Sequence, residues 1–210
     1  MSRNALSFSG IVAMLPGANI DTDAIIPIEF CVNRERPNFD VGLFHHWRFD
    51  TEGNQRTSFI LNRSPWSRAN ILVAGSNFGC GSSREMAVWA LADFGINCVI
   101  APSFGEIFYN NCFLNGVLAA VIDLEVHQRL VQLLEGESVV GLSVDIGSKT
   151  VSLEGSKIAS FQLDSLRQRM LQQALDPIDA TMTFEEDITS FEEHSLDAHP
   201  WMHEIFEDST

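Results

Sequence analysis

Residues 71–122 limit the fold most, because short apolar runs alternate there with helical segments. Ile71-Leu72-Val73-Ala74 and Cys98-Val99-Ile100-Ala101 are four-residue runs of the kind that sits in a sheet covered on both faces. A Gly- and Ser-rich turn follows the first run over 75–83, then a helical pattern over 84–94 that Gly95 stops. Pro102-Ser103 opens a second helix over 104–113, a third strand spans 117–122, and an amphipathic helix spans 124–134. The alternation predicts an α/β layer with parallel strands.

The flanks differ. Residues 7–15 form a strand, closed by the turn signal Pro16-Gly17-Ala18-Asn19. Residues 20–30, with Pro27 inside, suggest a loop entering a short extended segment. Residues 31–70 are irregular, with one short helix over 41–47. Over 139–163 apolar and polar residues alternate between turns, the pattern of short antiparallel strands. A helix over 163–175 is expected to stop at Pro177, and the acidic remainder shows one helical stretch near 184–193. The expected organisation is one domain over 1–177 and an acidic extension over 178–210.

With 45% hydrophobic and 20% charged residues, the 210-residue chain has the composition of a soluble globular domain. No apolar run approaches the ~20 residues of a membrane helix, and residues 1–10 do not form a secretory signal. A cytoplasmic location is expected. The formal charge is −15, yet no Lys or Arg follows Arg169, so eleven acidic residues place −11 in the last 41 positions and leave −4 for the body. Nucleic acid and anionic membrane both attract basic surfaces, so neither is an expected partner. The four cysteines, Cys31, Cys80, Cys98 and Cys112, form no C-x-x-C pair and match no common zinc or cluster spacing. They are expected to be reduced, with the ligands of any metal chemistry on another chain and none here.

The densest chemistry lies in Asn77-Phe78-Gly79-Cys80-Gly81-Ser82-Ser83-Arg84-Glu85. Gly79 and Gly81 permit backbone conformations that point successive N–H groups the same way, and the turn feeds a helix N-terminus. Ser82 and Ser83 add hydroxyls, and Arg84 adds a planar fork for a carboxylate. Two readings stand side by side: a site for a small anion, or an ordinary turn with Ser82 or Ser83 as N-cap and Glu85 assisting. It is neither a phosphate loop, since no Lys follows, nor a nucleophile elbow.

These residues, with Asn19 to Pro27 (NIDTDAIIP), LFHHWRF at 43–49 and GINCVIAPSFGEIFYNN at 95–111, resemble the aconitase-type swivelling-domain family, particularly its separate small subunits of isopropylmalate dehydratases. The resemblance covers roughly residues 8–180. It implies a swivelling β/β/α domain of the aconitase C-terminal type, and a hydro-lyase active only with a larger subunit that carries a [4Fe-4S] cluster. The reaction implied is the interconversion of 2- and 3-isopropylmalate by dehydration and rehydration, in leucine biosynthesis. Ser82 then acts as the base on carbon and Arg84 binds a carboxylate of the small dicarboxylate substrate, with Ser83 alongside. Thr22 and Asp23 belong to the family's polar loop near the active site. Isolated from its partner, the chain could self-associate.

The sequence departs from the family after Pro27, where Ile28-Glu29-Phe30-Cys31-Val32-Asn33-Arg34 replaces the usual Lys and aromatic-Leu segment. This stretch is expected to set the substrate side chain, with Cys31 and Val32 inward and Arg34 toward solvent. Arg34 turned inward would instead suit a tricarboxylic substrate. The alternatives are a small subunit for citraconate, dimethylmalate or homoaconitate, and a non-catalytic binding protein that kept the fold. His45, His46 and Trp47 read as aromatic packing, Cys80 as a small filler, Tyr109 to Asn111 as helix-end structure. His194, His199 and His203 read as part of a solvated tail.

Overall fold

In the computed structural model, which describes residues 7–135, 141–173, 175, 177–199 and 201, strand β1 (Ser7–Leu15) pairs with a different neighbour along each half of its length. Its second half, Val12 to Leu15, runs parallel to β2 (Ile71–Ala74), while Ser7 to Ile11 runs antiparallel to β5 (Gly141–Asp145). One sheet of seven strands results, ordered β4-β3-β2-β1-β5-β6-β7, with β3 at Cys98–Ala101, β4 at Leu118–Val121, β6 at Thr150–Leu153 and β7 at Ser156–Ser160. The β4-β3-β2-β1 side is parallel and the β1-β5-β6-β7 side antiparallel. Burial follows the pairing: β2 and β3 are buried at every position, whereas β5 buries Leu142 and Val144 and exposes Gly141 and Ser143.

Helices α3 (Glu85–Phe94), α4 (Glu106–Leu114) and α5 (Leu124–Glu135) cross between the parallel strands or follow them. Gly95, at φ 108°, closes α3 with its N–H on the carbonyls of Leu91 and Ala92. Each of these elements agrees with the pattern in the sequence. The irregular 31–70 region holds a four-residue helix α2 (His45–Arg48) and single 3-10 turns. It is fixed by Arg48, which bonds the Asn62 side chain at 3.1 Å and the Asp40 carbonyl at 3.0 Å, and by Asp93, which accepts from the Phe39 N–H at 3.0 Å.

Three expectations are corrected. Residues 20–30 are helical rather than extended: α1 (Thr22–Ile25) is capped by Asp21, whose carboxylate accepts from the Ala24 N–H at 2.7 Å, and a 3-10 turn follows at Ile28–Phe30. Helix α6 (Ser165–Gln173) falls within the expected 163–175, but Pro177 also opens a helix that was not expected, α7 (Pro177–Met182), since proline's missing N–H costs nothing in a first turn. The tail carries a second helix, α8 (Glu185–Ala198), longer than the single stretch expected. The chain divides into two compact units, 1–174 and 175–210. No described helix is long and apolar enough to cross a membrane.

Candidate functional site

The loops leaving the carboxyl ends of β1, β2 and β3 are stitched together by backbone hydrogen bonds. This edge of a parallel sheet is where α/β folds bind ligands. Gly75 N–H donates to the Leu15 carbonyl at 3.2 Å and Asn19 N–H to Ser76 at 2.8 Å. Further along, Gly79 N–H reaches Ile20 at 2.7 Å and Thr22 N–H reaches Cys80 at 2.9 Å. From the third loop, Ser103 accepts from Phe78 N–H at 3.1 Å and, through Oγ, from Asn77 N–H at 2.9 Å. The turn cannot drift from the sheet without breaking several of these bonds together.

Glycine is required at Gly79. Its φ is +71°, and a Cβ there would lie 2.2 Å from the Phe108 ring. Gly81, at φ +92°, carries the chain out of the core, so Ser82 and Ser83 are exposed. Neither serine caps α3: the N-cap is Arg84, in extended geometry, with no side-chain cap bond. The capped-turn reading fails for both hydroxyls, which stand free of that duty beside the positive end of the helix.

Arg84 is held from two sides. One guanidinium nitrogen lies 2.5 Å from the Asp23 carboxylate and donates to the Ile26 carbonyl at 3.3 Å. Thr22, buried, donates from Oγ1 to the Ser82 carbonyl at 2.8 Å. Ser82, Arg84, Thr22 and Asp23, distant in sequence, therefore form one constellation with Ser83 next to it.

The 28–34 segment contributes unequally. Cys31 is half-buried and shares the electrostatic surroundings of this cluster. Burial pushes its thiol up, Arg84 pulls the other way, and Asp23 and Glu29 add to the rise, so the group stays a neutral thiol. Val32 is exposed, contrary to the inward position expected. Arg34 does not run freely to solvent: it lies 5.9 Å from the Phe30 ring centroid, donates to the Asn38 carbonyl at 2.9 Å and buries its Nε. The aromatic ring and the carbonyl give the planar cation two partners at this turn.

The bland readings of the aromatic residues agree with the packing. His45 packs tilted against Phe30 at 4.2 Å and stacks on Phe49 at 4.7 Å, His46 pairs with Glu29 at 3.2 Å, and Trp47 stacks on Phe44 at 5.4 Å. Tyr109, expected at a helix end with Asn110 and Asn111, lies instead inside α4 and packs edge-on against Phe113 at 4.8 Å. His199 stands edge-on to Trp201, and His203 lies outside the described residues. A cavity of about 390 Å³ lies beside the 16–24 loop, lined by Asn19, Ile20, Asp21, Ala24 and Trp47 among others, but not by Ser82 or Arg84.

The four cysteines do not converge on an iron–sulfur site among the described residues. Among the described residues no three His, Cys, Asp or Glu side chains converge as metal ligands. Cys98 and Cys112 are enclosed in the core, their thiols pushed far up by burial.

The aconitase C-terminal domain family matches residues 3–125, which include the whole constellation. The 3-isopropylmalate dehydratase small subunit of Roseobacter denitrificans is 44% identical over 196 residues, covering 93% of this chain and 98% of that protein. The protein of the same name from Phenylobacterium zucineum is 45% identical over 190 residues, covering 90% and 93%. This chain belongs to the 3-isopropylmalate dehydratase small-subunit family. The fold agrees: a crystal structure described as 3-isopropylmalate dehydratase from Methanocaldococcus jannaschii superposes with TM-score 0.61 at 23% identity, covering 89% of this chain and 99% of that one. Within this family's fold, residue-level reading of the sequence missed the Ile26 carbonyl that anchors Arg84, the Phe108 ring that requires Gly79, and His127 beneath the turn. Only His127 left a signal, as a polar residue at helical spacing with Leu130 and Leu134 on the buried face of α5.

Proposed function

We propose that this chain is the small subunit of a hydro-lyase that interconverts 2- and 3-isopropylmalate in leucine biosynthesis, supplying one wall of an active site shared with a large subunit. The observation that carries this reading is the exposed pair Ser82-Ser83, placed by a doubly anchored turn beside an arginine that already grips a carboxylate. In this reading Arg84 takes a substrate carboxylate in place of Asp23, Ser82 removes the proton from the carbon as the hydroxyl leaves, and returns it on rehydration. A serine oxygen serves as base only where its anion is stabilised, and the N-terminus of α3 and the Arg84 charge both favour it. Thr22 holds the Ser82 carbonyl, and Cys31 forms neutral wall near the substrate side chain.

The [4Fe-4S] cluster belongs, in this reading, to the large subunit, and both subunits work in the cytoplasm. An exposed base needs a second surface to exclude water, which supports a half-site that closes only on assembly. The test is co-expression with a candidate large subunit and assay of isopropylmalate turnover. The isolated chain should show no turnover and no stoichiometric cluster iron. Turnover by the chain alone would overturn the reading.

A further inference from the structure

Among the described residues Thr22 and His127 are polar residues buried whole in the core, and they hold opposite ends of the same turn. Thr22 donates to the carbonyl of Ser82, where the turn delivers its serines. His127, on α5, bonds through Nε2 to the carbonyl of Ala74 at 2.8 Å, where β2 ends and the turn begins. A carbonyl only accepts, so Nε2 carries the proton. The Ala74 carbonyl lies past the last β2–β3 register pair, Val73 with Ile100, in a fully buried strand. The next residue is itself held, since the Gly75 N–H donates to the Leu15 carbonyl at 3.2 Å and its Cα packs so close to the Gly17 carbonyl that a Cβ there would lie 2.4 Å from the oxygen. A carbonyl left alone there would be costly, so the chain would have to shift to satisfy it.

We propose that His127 is a positioning residue for the reaction: by holding the Ala74 carbonyl it fixes where the turn leaves the sheet, as Thr22 fixes where it ends, and so sets the placement of Ser82 and Arg84. The inference rests on the function proposed above. A base displaced by about 1 Å loses rate far more than substrate affinity, on the order of 100-fold at worst. The side chain need only be a donor at the Nε2 position, which glutamine reproduces and leucine or methionine does not.

The experiment uses full-length chain reconstituted with the large subunit. H127L is expected to lower kcat roughly tenfold or more with KM changed less than about threefold, and H127Q to restore kcat to within about threefold of the parent. If H127L does not fold, H127M, an unbranched apolar chain without a donor, takes its place. Amide hydrogen exchange over residues 75–83 of the isolated chain gives a readout independent of turnover: faster in the apolar variant, unchanged in H127Q. A wild-type complex without turnover would fail the function proposed above but leave this exchange contrast to be met. Equal exchange and equal kcat in the Gln and apolar variants would overturn the role assigned to His127.

Discussion

The guanidinium of Arg84 lies 2.5 Å from the carboxylate of Asp23, so this arginine already holds an anion that the chain supplies. Asp23 is 58% exposed and Arg84 only 16%, which makes the acid the partner that can leave. Solvent screens the exposed acid, so in the reading proposed above a substrate carboxylate competes with it for the guanidinium.

Asp23→Asn is therefore expected to tighten binding of a small dicarboxylate such as malonate to the isolated chain by up to about fivefold, while changing stability by less than ~1 kcal/mol. Titration followed by NMR checks this. Weaker binding in the variant would show that Asp23 itself holds the ligand.

Ser82→Ala is expected to reduce kcat of the reconstituted complex by roughly 10²–10⁴, the range of a lost general base. The side chain is exposed, so stability should stay within about 0.5 kcal/mol and assembly should be intact by size-exclusion chromatography. Ser83→Ala serves as comparison. A larger loss there than at Ser82 would move the base by one residue.

Arg84→Lys should lower kcat/KM roughly ten- to a hundredfold, since an ammonium cannot contact a carboxylate and the Ile26 carbonyl with the same planar geometry. Steady-state kinetics at saturating and limiting substrate separates the terms, and an unchanged kcat/KM would remove Arg84 from the site.

Arg34→Ala is expected to leave kcat/KM for isopropylmalate within about threefold, because Arg34 is occupied by Phe30 and the Asn38 carbonyl. Cys31→Leu, at the neutral wall beside Arg84, should cost more by narrowing the side-chain pocket. The decisive comparison is kcat/KM for isopropylmalate against homoaconitate. A homoaconitate preference abolished by Arg34→Ala would reassign the substrate.

His127 gives a pH signature. Burial lowers its pKa, opposed by the bond to the Ala74 carbonyl, so the folded state resists the proton that the unfolded chain accepts near pH 6.5. Its contribution is full above that pH and is lost as pH falls toward the lowered folded value. Chemical denaturation at pH 7.5 and 5.5 should show a loss on acidification that is smaller in H127Q. An equal loss in both proteins would place the effect elsewhere.

The sequence by itself determined the strands, the crossing helices and the turn, because each has a signal contained within a few residues. Ile71 to Ala74 is apolar throughout, Gly79 and Gly81 permit the positive φ the turn needs, and Gly95 ends a helix. It misjudged residues 20–30, where Asp21 caps α1 through the Ala24 N–H and the run after Pro27 closes into a 3-10 turn instead of a strand. What only the tertiary structure decided is which distant groups meet. Thr22 lies 60 residues from Ser82, Arg84 58 from Ile26, and His127 53 from Ala74. The first two contacts exist because parallel pairing of β1, β2 and β3 brings their loops to one edge of the sheet, and the third because α5 returns His127 to the end of β2. Such long-range pairing is chosen by the burial of whole strands, a collective energy that no local stretch of sequence contains.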